Sequence, residues 1–149
     1  MRKGLAFGFV LIGILAGCAA QQPGPVSTPT TSLQPQSVDW KAAKEVEVDL
    51  TEFHIDPAML DFEAMHPYRI TFRNLGTLAH NFTSTGFFSA VLLRPDAPGT
   101  PSAAKGQIEL TPGVSTVVEL VPIKPGHYSF ACTHPLHETF GRSGEAVIR

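Results

Sequence analysis

Cysteine is scarce in this chain: Cys18 and Cys132 are the only two in 149 residues. That number excludes a disulfide framework as the source of stability. Positive charge is never clustered, and the formal net charge is −2. Loss of Arg2 and Lys3 with a cleaved leader would leave 9 basic against 13 acidic residues, a net charge of −4. Neither value suits a nucleic-acid partner. The uncharged apolar run from Gly4 to Ala16 is shorter than the roughly 20 apolar residues that a membrane span requires. There is no internal repeat and no recognisable acid–base pair, so the chain is not expected to be an enzyme. From Ala19 to Val38 there is no charge at all. Rich in Pro, Gln, Ser and Thr, that stretch cannot bury enough apolar surface to offset its ordering entropy and reads as a tether.

What is present at the N-terminus reads as an export signal. Arg2-Lys3 forms a positive segment, and the uncharged run behind it ends in small residues. Leu15-Ala16-Gly17-Cys18 resembles the lipobox of bacterial lipoproteins, which implies a diacylated Cys18 as the first mature residue. This reading is preferred to an ordinary signal peptide or an uncleaved anchor. The expected organisation is a lipoprotein signal at 1–17, a lipid-anchored flexible linker at 18–44 and one folded domain at 45–149. The expected location is the cell envelope, on the periplasmic or extracellular side.

The domain reads as strands. Val46, Val48 and Leu50 alternate with Glu45, Glu47 and Asp49, the period-2 signature of a half-buried strand. Phe53 and Ile55 continue the run as inward positions, until Asp56-Pro57 breaks it. Further strands are expected at Met59 to Phe62, Tyr68 to Phe72 and Leu78 to Thr83. Gln107 to Leu110, Thr116 to Val121, Gly126 to Ala131 and Glu145 to Ile148 supply the later ones. Asn74-Leu75-Gly76 is a turn. Phe87, Phe88, Val91 and Leu92 have helical spacing and predict one short helix, and Pro95 to Gly106 reads as a loop. Many short strands between turn signals predict an all-β Greek-key sandwich with that one helix.

If Cys18 is acylated, Cys132 is the sole thiol of the mature chain, in a compartment that oxidises exposed thiols. It ends one strand; His134 and His137 follow it, and His80 closes another strand far upstream. One thiolate and two imidazoles make the ligand set of a blue-copper site, whose fourth position is weak and axial. Cysteine with three histidines is also an acceptable zinc set. His54, His66 and His127 are read as exposed, and Met59 and Met65 as core or turn residues.

These pieces together resemble the cupredoxin family. The similar segments are Glu52-Phe53-His54-Ile55-Asp56-Pro57, Phe72 to Gly76, Ala79-His80-Asn81-Phe82 and Pro125 to Cys132, spanning nearly the whole domain. The most specific feature is His80-Asn81 with Cys132-x4-His137. The resemblance implies His80, Cys132 and His137 as equatorial ligands of one type 1-like copper ion, with Asn81 behind them tying the His80 strand to the Cys132 loop. Family members usually continue with x4-Met as the axial thioether. This chain has Arg142, which has five donors and no lone pair for a metal. Arg142 is read as pointing mostly to solvent, and His134 as solvent-facing in preference to a fourth ligand. The function implied is a membrane-tethered one-electron carrier with redox or copper-trafficking proteins as partners. Copper delivery or storage, an open axial position binding a small molecule and a metal-free structural module are the alternatives.

Overall fold

The alternating segments pair into two five-stranded sheets in a computed structural model that describes residues 33–135 and 142–149. The strands are β1 (Lys44–Leu50), β2 (Ile55–Asp56), β3 (Met59–Phe62), β4 (Tyr68–Asn74), β5 (His80–Thr83), β6 (Val91–Leu93), β7 (Gln107–Leu110), β8 (Ser115–Pro122), β9 (Gly126–Ala131) and β10 (Ser143–Ile148). One sheet has the order β2-β1-β4-β8-β6 and the other β3-β10-β9-β5-β7. Two pairings are parallel, β1 with β4 and β3 with β10; the rest are antiparallel.

Alternation decides which side chains enter the core. In β4, Tyr68, Ile70, Phe72 and Asn74 point inward and are buried, while Arg69, Thr71 and Arg73 face outward. The outer face of this sheet is a charge ladder set by register. Glu45 lies opposite Arg69 and Asp49 opposite Arg73, and Arg69 lies opposite Glu119. Arg73 Nε donates to Asp49 at 2.6 Å, and Arg69 Nε to Glu119 at 2.9 Å. A one-residue slip would bring those charges into the core, so the ladder and the apolar face specify the same register.

Between the sheets lies an aromatic cluster. Phe82 contacts Phe130 at a centroid distance of 4.5 Å and Phe72 at 5.0 Å. Phe62 stacks on Phe87 at 5.2 Å. Gly144 is required by close approach: a Cβ there would overlap the Ala58 carbonyl oxygen and the Phe130 ring.

Helix α1 (Thr85–Ser89) is shorter than its apolar spacing predicts. Ser84 caps it, its Oγ accepting from the Phe87 N–H at 3.3 Å, and Phe87 and Phe88 are buried. The chain leaves the helix at Ala90, because Val91–Leu93 form an edge strand paired with β8. Within the expected loop at 95–106 lies a second short helix, α2 (Thr100–Ala103). Its Pro101 suits the first helical turn, where a missing N–H costs nothing. Phe53, expected inward, is 70% exposed, because β1 ends at Leu50 and the inward position passes to Ile55 across a turn. Met59 is exposed on an edge strand instead of filling the core, and Met65 occupies a turn at φ 65°.

Before β1, two single 3-10 turns at Pro35–Ser37 and Trp40–Ala42 bring the chain to the sandwich. Trp40 Nε1 donates to the Pro35 carbonyl at 3.0 Å, and the Arg94 guanidinium lies 5.8 Å from the Trp40 ring centroid. Lys44 then starts β1 with a hydrogen bond to the Pro67 carbonyl.

Candidate metal-donor site at one end of the sandwich

The site is built where β5 and β9 stop pairing. Those strands share only one register pair, Thr83 with Ala131. Beyond it the ladder opens, and side chains take over from the backbone. The Asn81 N–H points at Cys132 Sγ, at 3.5 Å. Asn81 Oδ1 accepts from the Thr133 N–H at 2.8 Å, and its Nδ2 donates to Thr133 Oγ1 at 3.1 Å and to Glu109 Oε2 at 3.2 Å. The amide thus stitches the His80 strand to the residue after Cys132.

His80 and Cys132 are both fully buried. The Cys132 N–H donates to the Arg142 carbonyl at 3.0 Å, closing the neck of the connection between β9 and β10. From that neck the Arg142 side chain turns inward. It is 3% exposed, and one of its terminal nitrogens lies 2.8 Å from His80 Nδ1. This corrects the expectation that Arg142 faces solvent. A guanidinium can only donate, so Nδ1 accepts, which places the ring proton on Nε2.

On its other side the ring meets a polar wall. His80 Nε2 lies 4.0 Å from Glu52 Oε1. A Cβ at Gly76 would come within 2.7 Å of Nε2 and 2.8 Å of Glu52 Oε1, so only glycine leaves room for this ring. Glu52 itself accepts from the Thr77 N–H, from Thr77 Oγ1 at 2.8 Å and from the Leu78 N–H at 3.3 Å. Those donors, the Thr77 N–H foremost, hold its carboxyl down to about 2. Asn74, buried at the end of β4, donates to the Leu78 and Leu110 carbonyls at 2.8 and 2.9 Å and accepts from the Gly76 N–H. It shapes the loop that delivers His80.

A pH dependence follows from Glu52. Its folded value is depressed, so its contribution is complete above the ordinary carboxylate value of 4.5 and is lost as pH falls towards about 2. Glu52→Gln is expected to flatten the fall in urea midpoint between about pH 4.5 and pH 2. An identical pH profile in the variant would show that the Thr77 contacts do not discriminate the charged carboxylate.

His134 Nε2 lies 2.7 Å from Glu109 Oε1, with its side chain about one-third exposed. His66 and His127 are exposed, beside Glu63 and Glu145. His137 and Cys18 lie outside the described residues. Among the described residues, no three His, Cys, Asp or Glu side chains converge as a metal cluster. Glu52, Gly76, Glu109 and Thr133 were not singled out from the sequence as site residues. For Glu109 the only signal was its outward phase in β7, one position from the residue that faces His80. Phe53, Leu75, Leu78 and Val114 form exposed apolar positions in the loops at this same end.

The fold agrees with the comparisons to known proteins. A family model described as a cupredoxin-like domain matches residues 9–143. Among solved structures, an auracyanin from the photosynthetic bacterium Roseiflexus castenholzii superposes with a TM-score of 0.51 at 21% identity, covering 72% of this chain and 98% of its own. Auracyanin B gives 0.52 at 21% identity, with 75% and 93% covered. A multicopper oxidase gives 0.53 at 15% identity over 72% of this chain and 45% of its own. A comparison with curated protein sequences gives no match. Two sheets in this topology, with the family model running over most of their length, make the chain a member of the cupredoxin-like family.

Proposed function

We propose that the protein binds one copper ion through His80, Cys132 and His137 and acts as a one-electron carrier. The observation that carries this reading is the buried His80–Cys132 pair, held together by the Asn81 N–H on the sulfur. The donor chemistry fits. A thiol and a neutral imidazole, shielded from water at a strand end, suit a borderline-soft ion. The Asn81 N–H points at the Cys132 sulfur, and Asn81's side chain ties the following residue in place. Copper, when bound, supplies the Cu(I)/Cu(II) couple. The protein's part is to orient the donors, exclude water and keep the site unchanged by the ion's charge. The auracyanins, one described as a dithionite-reduced form, support the redox reading by their shared fold.

Of the alternatives, an open axial position is the least supported, because the inward Arg142 side chain crowds the donor pair. The apolar loop positions Phe53, Leu75 and Leu78 at the same end suit transient contact with a redox or copper-trafficking protein. We place the chain in the cell envelope, held through an acylated Cys18, on the strength of the sequence Leu15-Ala16-Gly17-Cys18.

The test is titration of the full-length, detergent-solubilised protein with Cu(II), followed by visible absorbance and voltammetry. An intense thiolate-to-copper band and a reversible one-electron wave are the expected results. A folded protein that takes up copper without such a band would overturn the carrier reading, and uptake of zinc in its place would favour a structural site.

A further inference from the structure

The Arg142 side chain does something to this site that a methionine at the same place would not. Its terminal nitrogen donates to His80 Nδ1, which with the ring proton on Nε2 carries the imidazole's one accepting lone pair, and both residues are buried. A metal ion and this guanidinium therefore compete for one lone pair. Building on the metal-site reading above, we propose that Arg142 is the selectivity element of the site: an internal monovalent cation that closes the donor pair and discriminates against divalent ions.

The physical argument has two parts. First, any ion reaching Nδ1 must displace a charge-assisted hydrogen bond formed in the absence of bulk water. That lowers affinity for every ion. Second, the fixed positive charge repels the incoming ion in proportion to the ion's own charge. The penalty is about twice as large for Zn(II) or Cu(II) as for Cu(I). Glu52 moderates this from the opposite side of the ring but lies beyond hydrogen-bond reach of Nε2, at 4.0 Å. Glu109 of β7, which lies opposite Asn81, bonds to Asn81 and to His134 instead.

Three substitutions separate the components. Arg142→Leu removes both charge and donor and suits a buried position. Arg142→Gln keeps a donor without the charge, and Arg142→Lys keeps the charge. Affinities for Cu(I) and Zn(II) are measured by chelator competition, with nitrogen-15 NMR of the histidine rings reporting the His80 tautomer in the metal-free state. The wild type is expected to show a protonated Nε2 and an accepting Nδ1. Arg142→Leu is expected to bind Zn(II) at least about tenfold more tightly, and Cu(I) by a smaller factor, since repulsion scales with ionic charge. Arg142→Gln should follow the leucine variant in the Zn(II)-to-Cu(I) ratio, and Arg142→Lys should keep the wild-type ratio. An unchanged ratio in both neutral variants, or a His80 Nδ1 that does not accept in the metal-free wild type, overturns the proposal. Cys132→Ser serves as the control for the underlying site. If wild type and Cys132→Ser bind both ions equally well, the metal-site reading itself fails, whatever Arg142 does.

Discussion

Cys132→Ser is expected to abolish the visible charge-transfer band of the copper-loaded protein while the sandwich stays folded. Colour and fold depend on different atoms here. The band requires a sulfur orbital, and serine's oxygen has none of comparable energy. The fold requires that the position be filled and the Asn81 N–H satisfied. Cys132 is fully buried, and the backbone N–H of Asn81 already points at its Sγ. A serine hydroxyl accepts that hydrogen bond at least as well as a thiol, so the stability change should be about 1 kcal/mol or less. Absorbance and a urea curve on one preparation decide the matter. Survival of the band would place the chromophore elsewhere.

Phe82→Ala should have the largest effect on stability, about 3–5 kcal/mol, as expected for an aromatic ring removed from a tight core. Phe82 has no exposure and touches Phe72, Phe88 and Phe130 at ring distances of 5.0, 5.9 and 4.5 Å. The loss should also be felt at the donor end. Phe82 lies two residues after His80, and Phe130 two before Cys132, so their ring contact braces the two strands where the ladder has a single register pair. A cavity there loosens the spacing of the donors as well as the core. The expected result is a fall in urea midpoint with a broadened or weakened copper band. A midpoint within 1 kcal/mol of wild type, the scale of a minor surface change, would mean that the neighbouring phenylalanines refill the space.

The strands were readable wherever alternation and turn residues coincided. In β1 and β4 the period-2 pattern places the same residues inward that the sheets bury. The pattern misled where pairing outweighed local spacing. Val91 and Leu92 continue the helical phase of Phe87 and Phe88, yet an open sheet edge at β8 takes them as a strand. The α2 turn was hidden because Pro, Ala and Gly mark both loops and first helical turns. At the donor end, His80, Asn81, Cys132 and Arg142 were all named from the sequence, and they do meet. The direction of Arg142 was not legible. An arginine among strand-end residues is ordinarily solvated, and its inward turn shows only in its burial and its contact with His80. The Glu52–Thr77 clasp was equally silent, since it joins residues from two loops without any shared motif.

Strand β1 has a further consequence for traffic to and from the site. It begins at Lys44, where the incoming chain reaches the sandwich, and ends at Leu50, whose carbonyl holds Leu75 beside the loop that carries His80. Seven residues of strand measure about 20 Å. The incoming chain and the donor pair are therefore at opposite poles, separated by the aromatic core. On the function proposed above, a partner protein seated over Phe53, Leu75 and Leu78 would leave the segment around Trp40 in place. Electrons or ions exchanged there would then use the distal pole alone, and the proximal one would be left for attachment.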